Sequence, residues 1–238
     1  MEDLDDRLRE AAQAEADARF VDALKAYRSA LQVEARCVPA LLGVGRIALV
    51  LGKSKQALES FTSALVLDPN TIEGLRGRGL AWFNHGLHDK AMKDLNRAVD
   101  LAPESVEPRL SRAIVSMDLE LFELAEIDLV TAHRLSPSDP DVAVELAFCK
   151  LCSLGTLPSK EALQSTLPGV ETLLKRGRAQ LEDDPLIVLL EAETLHLQGD
   201  EHAARHKLIL ALNAEPELRD RTELLPRCGT LLGQMADL

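Results

Sequence analysis

The residues best able to do chemistry in this sequence are four cysteines, two close pairs of histidines and a surplus of carboxylates. Cys149 and Cys152 form a CxxC pair, half of what a structural zinc site needs. No second pair follows at zinc spacing, and the pair lies in a segment with helical periodicity. Together with Cys37 and Cys228 it builds no disulfide framework, which agrees with a reducing compartment. His202 and His206 stand i, i+4 beside Glu201, a spacing that sets two imidazoles on one helix face. The same spacing is found on any solvated helix, and that reading is taken here. His85 and His88 flank Gly86 and read as turn polarity. There is no glycine-rich phosphate loop, HExxH or GxSxG. The expectation is therefore a protein that is not an enzyme and uses no metal or cofactor.

The totals narrow the class further. Lys plus Arg number 27 and Asp plus Glu 39, for a net charge of −12. Such a chain repels phosphate backbones, so no nucleic acid partner is expected. No stretch approaches the roughly 18 uninterrupted apolar residues of a membrane span, so no membrane insertion is expected. The acidic start (Glu2, Asp3, Asp5, Asp6, Glu10) lacks the basic and apolar runs of a secretory signal and reads as a frayed polar cap, with a lure for a basic partner as the alternative. A cytoplasmic location is the expectation. Aromatic residues are few (Phe 5, Trp 1, Tyr 1), so packing must rely on Leu, Ala and Val, which suits closely packed helices.

The elements that must position these groups are set by a repeat. Ala57, Ala91 and Ala125 are 34 residues apart, as are Ala64, Ala98 and Ala132, and Pro69, Pro103 and Pro137. Twelve residues before each first alanine sits a small residue: Gly45, Gly79 and Ala113. The register extends backward to Ala11, Ala23, Tyr27 and Ala30, and forward to Ala147. In the unit 38–71, Leu41, Leu42, Val44, Ile47, Ala48 and Leu51 give helix A its apolar spacing. Gly52 ends that helix, Ala57, Leu58, Phe61, Ala64 and Leu65 line helix B, and Asp68 with Pro69 stops it. The small residues at 45 and 57 let the two helices approach, and Phe61 fills the gap they leave.

These residues resemble the tetratricopeptide repeat (TPR) family over about residues 4–217. The resemblance implies an all-α fold: an α–α superhelix, or TPR solenoid, of about six helix–turn–helix repeats plus a C-terminal capping helix. Residues 1–139 hold repeats one to four. Residues 140–184 form a degenerate fifth repeat, because the next helix A alanine, Ala192, comes late. An inserted loop is expected at about 153–168, where Gly155, Pro158, Pro168 and Gly169 read as turn residues. Residues 185–217 form repeat six and 218–238 the capping helices. Glu120 replaces the turn glycine in repeat four.

In TPR arrays the A helices line a concave groove that binds partner proteins. Carried over repeat by repeat, the resemblance implies Leu42, Arg46, Leu49 and Val50 in repeat two. Repeat three contributes Glu73, Arg76, Leu80, Phe83 and Asn84, and repeat four Glu107, Leu110, Ile114, Met117 and Asp118. Repeat one offers Leu8, Ala12 and Glu15. The expected groove is apolar in its middle, and Arg46 and Arg76 are placed to fork onto a carboxylate of the partner. The Lys and Asn of the chaperone-tail carboxylate clamp are missing at Leu8, Ala12 and Gly43, and at Leu42, Arg46 and Gly77. The expected function is a scaffold or adaptor that holds a peptide or helix of another protein. The alternatives are a structural subunit working through its caps or convex face, and a dedicated chaperone for one client.

Overall fold

The computed structural model describes residues 4–155, 158–222 and 225–236. Glu2 and Asp3 of the acidic start lie outside them. The described residues form α-helices joined by short turns, with one 3-10 turn and no strand. The helices are α1 (Leu4–Ala16), α2 (Phe20–Val33), α3 (Val38–Val50), α4 (Ser54–Leu67), α5 (Ile72–Phe83), α6 (His88–Leu101) and α7 (Val106–Asp118). They continue with α8 (Phe122–Leu135), α9 (Pro140–Ser153), α10 (Lys160–Arg178), α11 (Pro185–Leu197), α12 (Glu201–Ala214), α13 (Arg219–Thr222) and α14 (Pro226–Ala236). The chain divides into two units, one up to Val115 and one from Ser116, so the boundary falls inside α7.

In the first unit each odd helix pairs with the even helix after it, and each pair stacks on the next: α2 on α3, and α4 on α5. The A helices α1, α3 and α5 lie side by side. Fully buried alanines, among them Ala11, Ala23, Ala57, Ala64, Ala91 and Ala98, keep the axes close. The aromatic rings then seat directly on bare backbone. A Cβ on Gly77 would lie 2.2 Å from the ring of Phe61, and one on Gly45 2.7 Å from it. Tyr27 stands in the same relation to Gly43, at 2.4 Å. Phe61 of α4 is thus wedged between α3 and α5, and a methyl group at Gly77 would overpack the contact.

The A-to-B turns share one conformation. Ala18, Gly52, Gly86 and Glu120, each 34 residues after the last, have φ of 55°, 66°, 70° and 58°. The amide of the next residue donates back across the turn in every case. Lys53 N donates to Ala48 O at 2.7 Å, and Leu121 N to Ser116 O at 2.7 Å. This is the bond that closes a helix through a left-handed residue. Glu120, although it is not glycine, keeps the turn.

In the second unit α8 packs on α9, α9 on α10, and α11 on α12. Aspartates start its A helices: Asp139 accepts from the amides of Asp141 and Val142, and Asp184 from those of Leu186 and Ile187. The inserted loop expected at 153–168 is a correction. Thr156 and Leu157 lie outside the described residues, but from Lys160 onward the stretch is helix, continuous through Pro168 and Gly169. Ser159 caps it, accepting from Ala162 N at 3.1 Å. Pro168 removes the donor for the Gln164 carbonyl, yet both residues are exposed, so water replaces the missing bond.

The chain after α12 turns back onto this unit. Leu225, Cys228 and Leu231 are fully buried, and α14 packs against α11. Burial raises the Glu145 carboxyl above the ordinary carboxylate range, with Arg221 opposing the shift.

Candidate partner-binding face

The expected groove residues of the first unit fall on the adjoining A helices, and the structure sorts them into three groups. Leu49 on α3, Leu80 and Phe83 on α5, and Leu110 and Ile114 on α7 are half-buried apolar side chains. Phe83 also meets the ring of His88, with centroids 5.5 Å apart. Asn84 is exposed at the end of α5, and Val50 is exposed at the end of α3.

Two expected groove residues belong to the interior instead. Leu42 is 7% exposed and packs in the cluster around Phe61. Met117 is 1% exposed. Helical spacing identifies a face but not how deep each position sits.

Arg46 is the second correction. Its Nε donates to Glu15 Oε1 at 2.7 Å and its Nη2 to Glu15 Oε2 at 2.8 Å, a bidentate pair across α1 and α3. Nη1 donates to Glu73 on α5, and Nη2 also reaches the Tyr27 hydroxyl at 3.1 Å. Tyr27 in turn donates to Glu15 Oε2 at 2.7 Å. The fork expected to face a partner's carboxylate is closed on two carboxylates of its own chain and ties three A helices together. The bond from Arg46 holds the Glu15 carboxyl below its ordinary range, against the opposing effect of burial. Burial, with Glu15 next to it, pushes the Tyr27 phenol up to about 12. Sequence reasoning named Glu15, Arg46 and Glu73 but missed that they bind one another, because they are brought together only when successive repeats stack.

Arg76 differs. It has no ion-pair partner among the described residues, and it lines a cleft of about 380 Å³ with Arg46, Ile72, Glu73, Ser105, Glu107 and Pro108. The face therefore reads as an apolar stripe with one available cation and the exposed Glu107 at the polar end.

The groups singled out for chemistry do not converge. Cys149 and Cys152 are buried, and burial pushes the Cys149 thiol up to about 11, far from a reactive thiolate. His202 and His206 are exposed on α12. Among the described residues no group of three or more His, Cys, Asp or Glu is placed to hold a metal ion. No described helix is long and apolar enough to cross a membrane.

Comparisons agree with this architecture. A family model for the tetratricopeptide repeat matches residues 8–72 and 48–106. A comparison with curated proteins gives no match. Among solved structures, PilW, a widely conserved type IV pilus biogenesis factor, aligns with a TM-score of 0.70 at 21% identity, covering 89% of this chain and 93% of that one. A thermophilic TPR protein of Thermus thermophilus aligns with a TM-score of 0.68 at 22% identity, covering 82% of this chain and 100% of that one. YrrB, a TPR protein with an unusual peptide-binding site, aligns with a TM-score of 0.54 at 17% identity, covering 81% and 94%. At these identities the likeness is one of fold.

Proposed function

Because the chain is a tetratricopeptide repeat protein, we propose that it is a non-enzymatic scaffold whose first unit holds a segment of a partner protein on its A-helix face. The observation that carries this reading is the half-buried stripe of Leu49, Leu80, Phe83, Leu110 and Ile114 on successive A helices, with Arg76 beside it. Half-buried apolar side chains on one face gain most from a ligand that covers them, and a partner helix or extended peptide has the right dimensions. A carboxylate on that segment completes Arg76, whereas Arg46 is already satisfied. The solved TPR protein with a peptide-binding site is in keeping with this use of the fold. Four free, buried cysteines support a reducing, cytoplasmic setting.

The test is affinity capture from native extract, read by mass spectrometry, with wild type beside Phe83→Asp/Arg76→Glu. Helix content and melting of both forms are checked first. A partner captured by wild type and lost by the folded variant supports the reading. Equal capture by both moves the site elsewhere. The B helices are then the next place to look, because Val21, Val33 and Val66 are 59%, 54% and 75% exposed there, which suits a structural subunit.

A further inference from the structure

The register of the repeat shows what the second unit does with its own A-helix face. In the first unit Arg46, Leu80 and Ile114 directly follow the small residues Gly45, Gly79 and Ala113. The same position in α9 and α11 is held by Phe148, after Ala147, and Glu193, after Ala192. The C-terminal segment touches both of these residues. The Arg221 guanidinium lies over the Phe148 ring, 5.0 Å from its centroid, and Nη1 donates to both oxygens of Glu145 at 3.1 and 3.3 Å. Glu193, fully buried, accepts from Cys228 N at 2.8 Å and from Arg227 N and Nη1 at 3.4 Å each. Its carboxylate thus caps the N-terminus of α14. Cys228 Sγ faces Leu189 O at 3.9 Å, and Leu189 stands three before Ala192, as Leu42, Arg76 and Leu110 stand before their small residues.

We propose that the A-helix face of the second unit is a binding site for an arginine-bearing amphipathic helix of a partner, and that α13 and α14 occupy it as a built-in stand-in. The segment has the form of such a ligand. On α14 Cys228 and Leu231 are fully buried and Arg227 is buried beside them, Leu225 is buried just before that helix, and α13 supplies Arg221. The face has the complementary charge in Glu145, Glu193 and Asp118, the last within the field of Arg221. This chemistry selects the competitor. Leaving a carboxylate such as Glu193 buried and unpaired is strongly unfavourable, so an apolar helix cannot displace the segment. A helix that brings its own N-terminus and arginine exchanges like for like. This face is separate from that of the first unit, and its test stands or falls independently.

The probe is a fluorescently labelled synthetic peptide of residues 216–236, added to the full-length chain and followed by anisotropy. Full-length Arg221→Ala/Arg227→Ala loosens the stand-in and leaves the acidic face intact. The expected result is binding at least tenfold tighter to this variant than to wild type, lost when the peptide carries the same two alanines. Equal binding to both proteins, or to neither, overturns the proposal. A second measurement does not depend on the variant's folding: hydrogen exchange of wild type. Amides 227–236 should exchange by local opening while those of α11 remain protected. Exchange of both only on global unfolding would make the segment fixed core and end the proposal.

Discussion

At the scale of the residue, Arg46 shows how a side chain with a binding repertoire is absorbed into structure. Its planar fork satisfies Glu15 in two bonds and Glu73 in another, so truncation leaves two partly buried carboxylates without their donor. Arg46→Ala is expected to cost about 1–2 kcal/mol at pH 7, less than for a fully buried pair because all three groups keep some solvent contact. The pH dependence follows from Glu15. Its folded carboxyl titrates below its unfolded value of about 4.3, so the stabilisation is full above that pH and is lost as pH falls through the lowered folded value. Urea unfolding of wild type and variant should differ at pH 7 and converge in acid. A gap of the same size at every pH down into the acid range would show that the loss is one of packing, not charge.

At the scale of the element, the A-to-B turn separates conformation from composition. Six described positions have a left-handed backbone, and two of them are the non-glycines Ala18 and Glu120. An L side chain there carries a penalty that glycine does not. Glu120→Gly is expected to stabilise the protein by about 0.5–1 kcal/mol, and Gly52→Ala to destabilise it by a similar amount. A Cβ on Gly52 meets no atom within 4 Å, so that change tests the backbone alone. Denaturation midpoints of the two variants on opposite sides of wild type are the outcome to look for, and midpoints that both fall would refute it. Helix α10 carries the converse lesson. Pro168 and Gly169 read as a break in sequence, yet the helix runs through them, because an exposed carbonyl that loses its donor is satisfied by water.

At the scale of the whole molecule, a net charge of −12 sets which partners can approach. Filter binding at about 0.15 M salt is expected to detect no retention of mixed-sequence DNA or RNA, because an acidic chain gains nothing from counterion release. Saturable, salt-sensitive retention would contradict this. The same charge favours partner segments with basic residues. That is the character of the chain's own segment 219–236, with Arg221 held at Glu145 and Arg227 at Glu193.

By itself the sequence determined the repeat, the helix hairpins and the contact alanines. Each is a local requirement, a small residue or an apolar period recurring every 34 positions, and a local requirement is written wherever it must be met. The A-helix positions from Leu42 to Met117 came from the resemblance to repeat arrays and not from periodicity. Tertiary structure decided which of them remain available. Leu42 and Met117 are buried, Arg46 is spent on Glu15 and Glu73, and Arg76 is left in a cleft. It also decided that α13 meets α9 through Arg221 and Glu145, and that α14 meets α11 through Cys228 and Glu193. These outcomes depend on pairs such as Arg221 with Glu145, 76 positions apart. No periodicity encodes such pairs, because burial and pairing follow from which surfaces meet once the helices have stacked.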